Sequence, residues 1–330
     1  MEEIIEIDTG KFVLRPYTDG DEEGVLSLWR AAFGKEMDQR VWRWKYLQNP
    51  YGHKILLCVG EQGMIAALYG GIPYRANLEG NTIEIIQLMD LMSHPDYRGK
   101  GLFVRTGNGL LDFYCRPQGA SFLYGFPGKH HFVLGEKYLN YKALKGGVSF
   151  LTARTADLAR NRKPFQGRVE RIERVSSFFD PLWATCSGYY PLSIIRDTAF
   201  IQWRFFAHPF QEYEVWGYRP YLKKGLKAYA VFSADDQRAR LIDILAMPSK
   251  NLLIDFFARL AIQFLDRGIK EIEAWLPSPH FITEAALSSG FQNAPEPLGI
   301  IPTVRSFAHS PSLEFISRRI FYTMADADLL

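Results

Sequence analysis

Apolar residues recur along this chain with two periods, and the switches between them mark the elements. Residues 11–16, 55–59, 64–73 and 83–93 are short apolar runs bounded by turn residues, and they read as strands. Thr18-Asp19-Gly20-Asp21 supplies start signals for a helix through Phe33, and Trp42 to Leu47 also reads as helical. Leu102 to Tyr114 places Phe103, Gly107, Leu110 and Tyr114 at helical spacing. Phe122 to Pro127 is a strand halted by proline, and residues 128–141 turn helical again. Further on, strands are predicted near 168–174, 213–219, 226–233 and 239–247, followed by a helix at 251–267, a strand at 270–276 and a helix at 281–289. Runs of strands broken by single helices predict an α/β fold.

The pattern also contains itself twice. Trp44-Lys45-Tyr46-Leu47-Gln48-Asn49-Pro50 is echoed by Trp203-Arg204-Phe205-Phe206-Ala207-His208-Pro209. Asp90, with Pro95 five residues on, is echoed by Asp243 with Pro248, and Tyr124-Gly125-Phe126-Pro127 by Ala274-Trp275-Leu276-Pro277. The offsets, 159, 153 and 150, drift in one direction, as loop shortening would produce. The expected organisation is one α/β unit over 1–150, a linker over 151–166 with Asn161 to Gln166 as its clearest part, and a second unit over 167–330. The repeated aromatics Trp42, Trp44, Tyr46, Trp203, Phe205 and Phe206 are expected in the core. Tyr69, Tyr74, Tyr189 and Tyr190 are a second set, with an acceptor cleft as the alternative to packing.

The chemistry concentrates in His94-Pro95-Asp96-Tyr97-Arg98-Gly99-Lys100-Gly101-Leu102-Phe103. A strand feeding a glycine-containing turn that feeds a helix leaves backbone N–H groups free at the positive end of the helix dipole, which suits phosphate oxygens. The loop is too short for a P-loop and lacks the dinucleotide fingerprint. The second copy has Ser249-Lys250-Asn251-Leu252-Leu253-Ile254-Asp255 after Pro248, with no glycine pair and an acidic residue early in the helix. It is expected to keep the fold without the loop.

The first loop resembles the pyrophosphate loop of the GNAT superfamily of acyl-CoA N-acyltransferases, R/Q-x-x-G-x-G/A, matched at Arg98 and Gly101. Phe103 and Gly128 depart from the usual residues. The layout is similar to the tandem branch that includes mycothiol synthase and the enhanced-intracellular-survival type acetyltransferases, without a sterol-carrier-like domain. The resemblance implies two tandem GNAT-like mixed-sheet units, the second lacking the cofactor loop. It implies acetyl-CoA as co-substrate, held by the backbone of Leu91, Met92 and Ser93 and by Arg98, Gly99, Lys100, Gly101, Leu102 and Phe103. Acetyl transfer to an amine also needs a base and often an acid for the leaving thiolate. Asp90 is the candidate base, set against a structural role because Asp243 repeats it. Gln87 lies where some relatives hold a glutamate. Tyr138 and Glu136 are the candidate acids, Glu136 falling into place if Asn140 stands for a glycine in the helix-end turn. The expected acceptor is the primary amine of a small or medium molecule, bound in a cleft between the copies. The alternatives are an acyl-CoA-binding regulatory module without turnover and a Fem-type aminoacyltransferase. The final run, 318–324, reads as strand-like, with Asp326, Asp328 and the Leu330 carboxylate as a further source of a base.

Charge and composition narrow the partners. A net charge of +3 on 330 residues does not call for nucleic acid, and no apolar run is long enough to enter a bilayer as a span. Three widely spaced cysteines argue for a reducing compartment and against a disulfide framework or a metal site. With an acidic start, Met1 to Glu6, the expected location is the cytoplasm. Oligomeric state is not readable.

Overall fold

The chain is described by a computed structural model at residues 3–8, 10–115, 119–162, 167–222 and 225–327. It opens with an antiparallel hairpin, β1 (Glu3–Ile7) and β2 (Gly10–Pro16), with Ile5, Phe12 and Leu14 facing inward. Helix α1 (Glu22–Phe33) follows an Asp21 that is tied to Arg15 and to the Thr18 amide, and Gly34 in the left-handed region ends it. Helix α2 (Gln39–Trp42) passes into a π turn over Arg43–Leu47, so Trp44, Lys45 and Tyr46 are all buried. Then come β3 (Lys54–Val59), β4 (Ile65–Leu78) and β5 (Asn81–Ser93). Helix α3 (Leu102–Leu110) continues as a π turn through Cys115 and is followed by β6 (Phe122–Gly125), α4 (Lys129–Leu139) and β7 (Lys142–Ala143). Helix α3 lies tight on the sheet because Gly109 has no side chain. A Cβ there would come within 2.7 Å of Leu56.

The next stretch repeats the plan. It runs β8 (Phe150–Arg154), α5 (Thr155–Ala159), β9 (Gly167–Arg171), α6 (Phe179–Cys186), β10 (Leu192–Ile194) and α7 (Thr198–Ile201), which again passes into a π turn, Gln202–Phe206. Strands β11 (Glu214–Pro220), β12 (Ala228–Ala234) and β13 (Arg238–Ala246) lead to α8 (Lys250–Leu265), β14 (Glu271–Trp275), α9 (Phe281–Ser289) and β15 (Gln292–Ala294). Strand β16 (Thr303–Ser306) and helix α10 (Leu313–Arg319) close the chain.

Two units result, and they are not consecutive halves. The first comprises Met1–Arg75, Ile83–Lys142 and Thr303–Ser310, the second Ala76–Thr82, Ala143–Pro302 and Pro311–Leu330. The first sheet runs β1-β2-β3-β4-β5-β6-β16-β7, mixed because β5 and β6 are parallel and the late strand β16 pairs antiparallel with β6. The second runs β15-β8-β14-β13-β12-β11-β9, with β13 and β14 parallel and the early strand β8 antiparallel to β14. Each sheet thus takes in a strand far in sequence from the strand it pairs with, β16 beside β6 and β8 beside β14. In the second unit β10 also pairs with Ala76–Leu78 of the β4 tip.

This arrangement corrects the simple division. Residues 151–166 hold most of β8 and all of α5, and residues 163–166 lie outside the described residues. The final run is not a strand. Helix α10 extends to Arg319, and Met324–Asp326 is a 3-10 turn capped by Thr323. Residues 320–327 are buried, so this part of the tail is not a frayed end. Asp328 and Leu330 lie outside the described residues.

Candidate active site

In the first unit, β5 pairs with β6 at Ile86–Leu123 and Gln87–Tyr124. Strand β6 then stops at Gly125, ahead of Pro127, while β5 runs on to Ser93. Beyond its last pairing with β6, the backbone of β5 therefore continues alone on that side to Ser93, and this one-sided opening is a wedge. Gln87 and Tyr124 sit at its apex, both buried, with the Tyr124 hydroxyl 3.5 Å from Gln87 Oε1.

Beyond β5 the chain turns through Pro95–Tyr97 into α3. Gly99 and Gly101 have φ of +80° and +81°, conformations that side chains with a Cβ rarely adopt. Gly101 is the N-cap of α3, so no side chain satisfies the first amides of that helix. Nothing lies within 4 Å of where a Cβ would sit on either glycine, so the loop faces open space. Arg98 donates to the Ala32 carbonyl at 3.0 Å and ties the loop to the end of α1, and Lys100 lies over the Tyr97 ring. Uncapped amides at a helix N-terminus, in a loop that also carries two basic residues, have the chemistry of an anion cradle. The residues present fit a pyrophosphate. Leu102 is buried beneath this loop, and Phe103 packs on Tyr69.

The candidate acids and base are placed less uniformly. Asn140 does take the left-handed conformation at the end of α4, and the Tyr141 amide reaches back to the Gly135 carbonyl. Glu136 and Tyr138 are both exposed on α4, with Lys137 over the Tyr138 ring. Asp90 is not exposed. Its Oδ2 accepts from Lys45 Nζ at 3.0 Å and from the Tyr46 hydroxyl at 2.8 Å, and its side chain is 3% accessible. Leu91, Met92 and Ser93 form the end of β5. Tyr69, Tyr74 and Tyr190 are interior residues, in line with packing, while Tyr189 is exposed. The Tyr69 hydroxyl bonds that of Tyr141, and burial, then the neighbouring Tyr141, pushes Tyr69 well above the ordinary phenol range. Sequence reasoning missed Lys45 as a partner of Asp90. The signal was present in the repeat, because Lys45 and Arg204 are cations inside an otherwise aromatic motif.

The second unit has the same wedge with different contents. Strand β13 last pairs with β14 at Leu241–Ala274 and continues to Ala246. There the Tyr190 hydroxyl accepts from the Ala246 amide at 2.9 Å and donates to the Ala246 carbonyl at 3.0 Å. The rings of His280, Phe281 and Phe321 pack around Tyr190. Ser249 caps α8 by accepting from the Leu252 amide. Asp255 does not cap that helix. It pairs with Arg259 at 2.7 Å and accepts from the Tyr218 hydroxyl.

Among the described residues no group of three His, Cys, Asp or Glu side chains could hold a metal ion, and no helix is long and apolar enough to cross a membrane.

A family model described as the acetyltransferase (GNAT) domain matches residues 13–134, and the chain carries a GNAT-type N-acetyltransferase domain there. No curated protein matches the sequence. Solved structures share the fold at low identity. A probable N-acyltransferase from Enterococcus faecalis V583 superposes with a TM-score of 0.70 at 13% identity, over 93% of this chain and 74% of that one. A GCN5-related N-acetyltransferase from Kribbella flavida gives 0.68 at 14% identity, over 89% and 71%. A GCN5-related glucosamine N-acetyltransferase region of a fungal multi-domain β-N-acetylglucosaminidase gives 0.60 at 14%, over 88% of this chain and 38% of that protein.

Proposed function

We propose that the protein transfers the acetyl group of acetyl-CoA to the primary amine of a small or medium acceptor, and that the first unit does the chemistry. The carrying observation is the wedge beyond Gln87–Tyr124 running into the uncapped start of α3 at Gly101. The amides at the start of α3, with Arg98 and Lys100, hold the pyrophosphate. The exposed flank of β5 at Leu91–Ser93 offers peptide groups to the amide-bearing arm. Acetyl-CoA supplies the activated thioester. The protein orients it, keeps the arm between two strands and donates hydrogen bonds where negative charge develops on the carbonyl oxygen. Tyr138 and Glu136, on the exposed face of α4, are the side chains proposed to protonate the departing thiolate. Asp90 is engaged by two donors and is not proposed as the base. The amine's proton passes to solvent water.

An amino sugar or amino-acid derivative is the acceptor class favoured. The weak net charge does not call for a polymeric acid, and the fungal region of like fold acts on glucosamine by its own description. Calorimetric titration with acetyl-CoA is the test, followed by an amine library scored for CoA release. Gly101→Val should lower affinity at least about a hundredfold, since a β-branched residue is strained at this φ and adds bulk where the anion sits. Absence of binding at millimolar acetyl-CoA would refute the proposal.

A further inference from the structure

Asp90 carries a second anomaly besides its burial. Its φ is +54°, and of the described non-glycine residues at positive φ it is the one inside a strand, Gln62, Glu79 and Asn140 lying in turns or at a helix end. A left-handed residue in a strand persists only where its surroundings over-determine it, and such a turn re-aims the backbone that follows. Asp tolerates the conformation better than most residues. Here the surroundings are two consecutive side chains, Lys45 and Tyr46, both brought inward by the π turn over Arg43–Leu47.

The repeat supplies a control. Asp243 stands opposite Val231, next to a register shift that skips Ile242, and is not at positive φ. It is held by Arg196, Tyr229 and Thr323. The matched pair in the second copy is Arg204 and Phe205. Arg204 donates to the Ala325 carbonyl and the Tyr213 hydroxyl, and Phe205 has no hydroxyl to give. The Lys-Tyr clamp and the left-handed aspartate occur together, in the copy that has the glycine loop.

We propose that Lys45 and Tyr46 are positioning residues. By clamping the Asp90 carboxylate they maintain the left-handed turn in β5 and so aim the backbone of Leu91–Ser93 at the acetyl thioester. Asp90 itself positions and is not a proton acceptor in the reaction. The inference rests on the reading that acetyl-CoA lies along Leu91–Phe103.

The test uses the full chain with Lys45→Met, Lys45→Arg, Tyr46→Phe and Asp90→Asn, the mild Tyr46→Phe covering the event that another variant does not fold. Amide hydrogen exchange without ligand reads the clamp directly. Residues 88–93 should exchange about tenfold faster in Lys45→Met and Asp90→Asn, the scale of one lost charge-assisted bond, while 238–246 stay as they were. Lys45→Arg should restore protection. Unchanged exchange at 88–93 in Lys45→Met, Tyr46→Phe and Asp90→Asn overturns the proposal. Titration then compares CoA with acetyl-CoA. The parent chain should bind acetyl-CoA more tightly, and Lys45→Met should lose that difference while keeping its affinity for CoA. Equal loss for both ligands, or no difference in the parent, counts against a role at the thioester. A parent that binds neither ligand refutes the functional reading instead, and the exchange result still decides the clamp.

Discussion

The ends of β5 and β13 are the same place in two copies of one fold, and they have opposite fates. Each strand carries an aspartate, each parts from a parallel neighbour, and each leads to a helix. At the first, Gly99 and Gly101 leave the α3 amides open to an anion. At the second, Ser249 occupies a helix amide, and Tyr190 satisfies both backbone groups of Ala246, three residues past Asp243 as Ser93 is past Asp90. At the end of β13 the buried amide and carbonyl of Ala246 need such a partner, because buried backbone groups must be paired. The second unit provides that partner from its own chain; on the reading proposed above, the first leaves it to acetyl-CoA. In the second unit the absence of the glycine pair thus goes with a side chain that satisfies the end of the strand.

Three measurements would break or sharpen this contrast. The largest effect is expected at the Asp243 cluster, where Arg196 is fully buried between Asp243 at 2.9 Å and Asp326 at 2.6 Å. Asp326→Ala should cost about 4 kcal/mol in urea unfolding, because it leaves a buried guanidinium short of one carboxylate. Acetyl-CoA affinity should stay, since Asp90 has its own partners; joint loss would mean the two ends are not independent. Tyr190→Phe comes next. It strands a buried amide and carbonyl and should cost about 3 kcal/mol, and a change near zero would show that the hydroxyl is not the surrogate described.

The smallest effect is a pH dependence. Burial, and secondarily the charge of Arg196, pushes His280 down to about 3 from 6.5. The unfolded chain takes up a proton below 6.5 that the folded chain refuses, so stability falls as pH drops from there toward 3. The contribution is about 2 kcal/mol lost at pH 5 relative to neutral. His280→Asn keeps a cap for α9 and should flatten the curve between pH 7 and 5. Asp326 acts in the opposite sense. Its burial holds it above the ordinary carboxylate range, so the folded state accepts that proton more readily as pH falls. A parent curve that does not fall between pH 7 and 5 would put His280 in contact with water.

Several features were legible from residues alone because they are local. The glycine loop, the strand before it, the proline that halts β6 and the helix at 281–289 each follow from backbone preferences within a few positions. The threefold echo of Trp44, Asp90 and Tyr124 revealed the two copies because a repeated fold repeats its buried positions. What the sequence could not determine was pairing at a distance. Nothing near Phe150–Arg154 or Thr303–Ser306 says that each completes a sheet whose other strands lie far away in the chain. The partners of Asp90 and Asp243 were equally out of reach. The same residue at the same repeat position meets Lys45 and Tyr46 in one unit and Arg196, Tyr229 and Thr323 in the other, and only packing brings those groups within bonding distance. Tyr190 had both a packing and a cleft reading because its side chain type suits either setting, and burial against the end of β13 decided for packing. Local chain stiffness writes motifs into sequence, whereas the choice among long-range neighbours depends on which contacts best fill and satisfy an interior that exists only once the chain has folded.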